Sequence, residues 1–193
     1  GNVVLVTSRA PNDTLSAEIR DCEIINPNTT SALMDGPGGH GLAVLTRNPA
    51  RGDLPPPHEG AKIAVRLEKS IVRTDGSGGA VFAINFAAHG NLSVTLEGNL
   101  IEGGLDLAGG VSRPDLVTGA DVLIESRNNL YVRRPGMYAG HAWWVYGGST
   151  APLPGLGAQG ASNNRLRIFS VNDRIEGFKF GIFAVAARRW LNW

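Results

Sequence analysis

The sequence predicts an all-β chain wound as a solenoid, and three observations carry that prediction. Apolar residues alternate in short period-two runs, and almost nowhere do they recur at helical spacing. One short pattern of alternating apolar residues, a small polar residue and another apolar residue recurs along the chain. Glycine supplies 26 of the 193 residues, roughly twice its average share, which suits many strands joined by tight turns.

Taken in order, the alternation is visible at Val4/Val6, Ile63/Val65/Leu67, Val81/Ala83, Leu92/Val94/Leu96 and Leu105/Leu107. Gly, Asn, Asp and Pro punctuate these runs, as they do between strands. A short helix is conceivable only near Ala184–Trp190, and that piece reads equally well as a last strand and a cap.

The recurring pattern is clearest in Val94-Thr95-Leu96-Glu97-Gly98-Asn99-Leu100-Ile101-Glu102-Gly103. Upstream it returns as Ala17, Ile19, Cys22, Ile24 and as Val65, Leu67, Ser70, Val72. Downstream it returns as Ile168, Ser170, Asp173, Ile175, and a looser copy runs through Val122, Ile124, Asn128 and Leu130. Val65 to Val94 is 29 positions and Val94 to Val122 is 28. The alternative, an antiparallel β-sandwich, places turn signals about every 8–12 residues and shows no longer period. Each period also holds a second strand behind a glycine, at Gly41-Leu42, Gly79-Ala80, Gly104-Leu105 and Gly181-Ile182. Stacked coils would set Cys22, Ser70, Asn99 and Asp173 above one another, where small polar side chains satisfy turn backbone groups that no strand pairs.

With these repeats the chain resembles the right-handed parallel β-helix proteins of the pectin-lyase-like superfamily over most of Leu15–Ala187. The expected organisation is a single β-helix domain over 1–193, with inserted loops at about 47–60 and 133–163. The first loop contains Pro49 and Pro55-Pro56-Pro57, which cannot serve a central strand. Asn2–Val6 and Ala187–Trp193 are the expected caps.

Composition narrows the function. The formal charge is +1 and no Lys/Arg cluster is interleaved with aromatics, which speaks against nucleic acid as partner. No apolar run reaches the roughly 18 residues of a membrane helix, so no membrane partner is expected. Cys22 stands alone, leaving no internal disulfide and no Cys-based metal site. At the small polar position of its repeat it reads as a buried, inert thiol. A chain opening at Gly1 fits removal of a leader, and an extracellular or cell-surface location is the expectation.

The sharpest motif is Gly38-Gly39-His40-Gly41 ahead of Leu42-Ala43-Val44-Leu45. It is similar to the Gly-His-Gly element of polygalacturonases, and the resemblance implies that His40 lines a groove. Inverting glycosidases need an acid and a base with room for a water between them, and Asp35 and Asp75 are the carboxylates set beside His40 as catalytic candidates. The Asn-x-Asp, Asp-Asp and Arg-Ile-Lys segments of that family have no counterpart here. Without them, His40 reads as a turn residue that its glycines allow. Arg133-Arg134-Pro135 resembles the Arg/Pro-containing segment of pectate lyases, among Arg113, Arg127, Asp106, Asp115, Asp121 and Glu125. Most such charges are solvated coil faces. No Asp-rich string gathers the oxygens calcium needs, and no metal or cofactor is expected.

Tyr138, His141, Trp143, Trp144 and Tyr146 concentrate aromatic and imidazole rings within the second inserted loop. Flat amphipathic rings offer apolar faces to sugar C–H groups and polar edges for hydrogen bonds, so these residues, with Arg134, are the candidate substrate-binding set. The same rings could instead anchor the loop to the solenoid wall or meet another chain. Nucleophile elbow, P-loop, dinucleotide fingerprint and zincin templates are missing. Two functions follow. One is a carbohydrate-directed β-helix that binds, and by hydrolysis or elimination cleaves, an extended polysaccharide or glycan. The other is a non-catalytic solenoid serving adhesion, surface or assembly roles, in which a short stack of coils gains stability by self-association.

Overall fold

The computed structural model describes residues 3–8, 10–27, 40–46, 60–75, 79–85, 87–108, 111–112, 119–135, 141–146, 149–150, 163–185 and 188–189. The regular elements among them are β-strands, and their pairings are parallel.

The chain winds as a right-handed parallel β-helix. Its first coil is β1 (Val4–Thr7), β2 (Thr14–Arg20) and β3 (Glu23–Asn26), and its second is β4 (Leu42–Leu45), β5 (Lys62–Glu68) and β6 (Ile71–Thr74). The third is β7 (Val81–Ile84), β8 (Asn91–Glu97) and β9 (Leu100–Glu102). The fourth is β10 (Leu105–Ala108), β11 (Val111–Ser112), β12 (Asp121–Arg127) and β13 (Leu130–Val132). The fifth is β14 (His141–Tyr146), β15 (Ser149–Thr150), β16 (Arg165–Val171) and β17 (Arg174–Glu176), and β18 (Phe180–Val185) with β19 (Arg188–Arg189) opens a sixth. Stacking gives a first sheet β1-β4-β7-β10-β14-β18, a second β2-β5-β8-β12-β16, a third β3-β6-β9-β13-β17, and a minor one β11-β15-β19.

Inward side chains form rows that run from coil to coil. Ala17–Val65–Val94–Ile124–Ile168 line the second sheet, and Ile24–Val72–Ile101–Tyr131–Ile175 line the third. Leu42–Val81–Leu105–Trp143–Ile182 line the first. Central members such as Val94, Leu96, Ile101, Ile124 and Leu105 are fully buried, each worth about 1.5–3 kcal/mol of transfer free energy.

The strands of the second sheet sit in a cassette of fixed length. Asn12, Gly60, His89, Gly119 and Asn163 have positive φ two residues before each strand begins. Asp21, Lys69, Gly98, Asn128 and Asn172, nine positions later in each coil, have positive φ just after it ends. The left-handed conformation is tolerated best by Gly, Asn and Asp, which explains most of these identities. The next residue of each coil builds the expected ladder. The Cys22 N–H donates to Ser70 Oγ at 3.1 Å, and the Ser70, Asn99 and Asn129 N–H groups each donate to the next coil's Oδ1 at 2.9 Å.

Several expectations are corrected. The looser copy is registered on Ile124, Ser126, Asn129 and Tyr131, with Asn128 in the left-handed turn before it. The step from Asn99 to Asn129 is therefore 30 positions. Cys22 is exposed, because it lies in the first coil with no coil beyond it. The 133–163 stretch contains β14, a full member of the first sheet. Val4–Val6 pair within β1, and of the stretch near Ala184–Trp190 where a short helix was conceivable, Ala184–Val185 end β18 and Arg188–Arg189 form β19.

Candidate functional site

Residues 47–59, together with Asp35, Tyr138, Arg113 and Asp115, lie outside the described residues. Of the other sequence-selected residues, His40, Asp75, Arg134 and His141 lie where the third sheet turns into the first, with Trp144 beside His141. Here coil length varies widely. Gly103 and Gly104 alone join β9 to β10, whereas residues 27–41 separate β3 from β4. The two-glycine corner is tight, since a Cβ on Gly104 would collide with the Ala142 carbonyl oxygen.

His40 enters β4 from this corner and is buried. Its Nδ1 lies 2.6 Å from the Gly79 carbonyl oxygen, an acceptor only, so Nδ1 carries the proton and donates. The ring stacks on Phe82 at 4.4 Å. Asp75 is a close neighbour through Asn26. The Asp75 N–H donates to the Asn26 carbonyl at 3.0 Å, and Asn26 Nδ2 donates to the His40 carbonyl at 2.9 Å.

Asp75 also belongs to a four-membered ion cluster. Arg134 Nη2 is 3.4 Å from Asp75 Oδ1, and Arg134 Nη1 is 3.2 Å from Glu102 Oε2. Arg73 Nε reaches the same two oxygens at 3.5 and 3.6 Å. The four side chains come from three consecutive coils, carry balanced charge and are partly buried. The sequence reading missed Arg73 and Glu102. Their signal is register, because Arg73 pairs with Glu102 on the outward face of the third sheet.

The aromatic set is divided by strand alternation. Trp143 points inward, is fully buried and meets Tyr131 edge-on at 5.5 Å. Trp144 points outward, where it packs with Phe82, Leu45 and Ile84 in a second apolar cluster. Tyr146 is described only by its backbone pairing with Ala108 and Val185. His141 opens β14 and stacks on Phe180 at 5.1 Å, with Phe183 at 4.7 Å and Trp144 at 5.4 Å. Its buried Nδ1 has no hydrogen-bond partner among the described residues. Phe180 and Phe183, roughly half exposed, were not selected from the sequence, because the period-two pattern at 180–184 does not reveal which residues stack on His141.

His40 and His141 each sit two residues ahead of the paired row Leu42–Val81–Leu105–Trp143. They therefore stand along one edge of the first sheet, three strand spacings or about 14 Å apart. His40, Asp75, Arg134, His141 and Trp144 share this corner, and Trp143 is turned away from it. Elsewhere, Asp121 pairs with Arg167 at 2.9 Å and Glu125 with Arg127 at 3.2 Å. Among the described residues no group of three or more His, Cys, Asp or Glu is placed to hold a metal ion, and no helix is long and apolar enough to cross a membrane. Compared with known proteins, the chain matches no family model, no curated protein sequence and no solved structure.

Proposed function

We propose that the protein is a carbohydrate-directed β-helix that binds an extended polysaccharide along the corner between its third and first sheets. One observation carries the reading: His40, Asp75, Arg134 and His141, on the second, fourth and fifth coils, lie along one sheet edge. A line of side chains spanning three strand spacings, about 14 Å, suits an extended ligand. Trp144 and His141 supply ring surface, and Arg134 supplies guanidinium donors. Binding is favoured over cleavage because Asp75 and Glu102 are both engaged by Arg73 and Arg134, which holds the two carboxylates in one ion cluster and away from a sugar. His40, with its Nδ1–H committed to a backbone carbonyl, holds the corner in shape. The pectin-lyase-like resemblance adds analogy to this reading and no residue roles.

Affinity electrophoresis against a panel of neutral and acidic polysaccharides tests the reading. Retardation by at least one polymer is expected, weakened about tenfold by Trp144→Ala and by Arg134→Ala. Assay of new reducing ends and of ultraviolet-absorbing unsaturated ends on the same panel reports any cleavage. Migration unaffected by every polymer would sink the proposal. A second reading, an assembly module, is favoured by the exposure of Phe169, Val171, Ile175, Phe180, Ile182 and Phe183 in the last coils. Sedimentation velocity across a concentration series separates the two.

A further inference from the structure

The outward face of the second sheet is divided lengthwise into two unlike halves. On the half toward the third sheet, charged residues pair with one another: Arg20 with Glu18, Arg66 with Glu68 and Glu97, and Arg127 with Glu125. On the other half the face sinks into a concavity of about 300 Å³ that crosses all five strands from Thr14 to Arg167. Its floor runs through Ser16, Ala64, Ser93 and Leu123, residues in one paired row whose first three members are small. Its wall is the neighbouring row Thr14, Lys62, Asn91 and Asp121.

The polar atoms of this half are unspent. Among the described residues the side chains of Thr14, Ser16, Lys62, Asn91 and Ser93 have no hydrogen-bond or ion-pair partner, and only Asp121 is neutralised, by Arg167 at 2.9 Å. A row of hydroxyl, amide and ammonium groups over a small, partly apolar floor is matched by a strand rich in hydroxyls with C–H faces between them. Lys62, a cation of the lining with no ion-pair partner among the described residues, is matched by a negative charge.

We propose that this groove is a second glycan-binding site, taking an extended hydroxyl-rich strand that carries an anionic substituent opposite Lys62. Five strands span four spacings, about 19 Å, which accommodates a few sugar units. The site lies on a different sheet from the corner site and does not depend on it.

Dextran and dextran sulfate of matched length serve as probes, with binding followed by calorimetry at several salt concentrations. The variants are Ser93→Leu, which fills the floor, Lys62→Gln, which removes the charge, and Lys69→Gln, which removes a lysine just past the opposite end of β5, away from the groove and from the corner. Each carries an outward substitution, and circular dichroism confirms that the fold is retained. Wild type is expected to bind dextran sulfate more tightly than dextran. Ser93→Leu should lose at least tenfold toward both probes. Lys62→Gln should lose several-fold toward dextran sulfate alone and flatten its salt dependence, and Lys69→Gln should behave as wild type. Wild-type affinity in Ser93→Leu and Lys62→Gln, alongside losses in Trp144→Ala, would overturn the groove and leave the corner site standing. Equal losses in Lys62→Gln and Lys69→Gln with none in Ser93→Leu would mean nonspecific charge attraction and would also overturn it. Wild type binding neither probe overturns the groove whatever the corner does with the wider panel.

Discussion

Tyr131 places a phenol in the middle of the core, 2.7 Å from Ser126 Oγ. Burial pushes its pKa far above the ordinary 10.0, the Ser126 hydrogen bond pulls it back slightly, and the Asp173 charge adds to the rise. The folded protein therefore keeps this proton above pH 10 while the unfolded chain releases it, so stability is lost as pH climbs past the ordinary value. Tyr131→Phe should cost about 1 kcal/mol at neutral pH through the lost hydrogen bond. It should also flatten the alkaline decline by up to about 1.4 kcal/mol per pH unit. Urea unfolding between neutral and strongly alkaline pH reads both effects, and an unchanged alkaline slope would refute the assignment. His40 makes the companion case. His40→Ala removes the bond to Gly79 and the stack on Phe82, and a loss of about 2 kcal/mol is expected. A variant that lost polysaccharide cleavage at unchanged stability would instead point to a chemical role.

At the scale of the element, the cassette around each second-sheet strand decides both stability and legibility. Lys69 holds φ 47° where its counterparts are Asp, Gly and Asn, so Lys69→Gly should relieve about 1 kcal/mol of left-handed strain. Asn99→Ala should cost about 2–4 kcal/mol, since it strands the Ser70 N–H and the Leu67 carbonyl in the interior. Equilibrium denaturation measures both, and equal midpoints for the two variants would contradict the ladder. The cassette is also why the fold could be read from the sequence. Its spacing is constant, so Cys22, Ser70, Asn99 and Asp173 fell into line, whereas Asn129 was displaced by one because Asn128 beside it is also polar and small. The corner leading into the first sheet has no fixed length, so β14 was hidden inside a presumed loop and Trp143 and Trp144 were grouped as one surface. Strand alternation sends one inward and the other outward. Pairings across coils, such as Arg73 with Arg134 through Glu102 or His141 with Phe180, depend on register between segments of variable spacing, which a linear pattern does not encode.

In the whole molecule, each coil touches only its neighbours, so stability is a sum of coil and interface contributions that is largest where a coil is covered on both sides. β8 lies between β5 and β12, and its inward residues Leu92, Val94 and Leu96 are buried almost completely. β16 edges the second sheet, and in the same terminal coils Phe169, Val171 and Ile182 are at least half exposed. Amide exchange should accordingly be slowest in β5, β8, β9 and β12 and fastest, within regular structure, in β16–β18. Leu96→Ala removes a side chain from the centre of the stack and should cost about 2–5 kcal/mol, lowering protection in the coils on both sides. Ile168→Ala acts where neighbours are fewer and should cost less than half as much, with exchange accelerated only from the fourth to the sixth coil. Hydrogen exchange followed by mass spectrometry on the two variants distinguishes this graded stack from a single cooperative unit. In a graded stack protection falls outward from the third coil and each mutation spreads only as far as its neighbours, whereas uniform protection, lowered everywhere by either mutation, would mean that the coils open together.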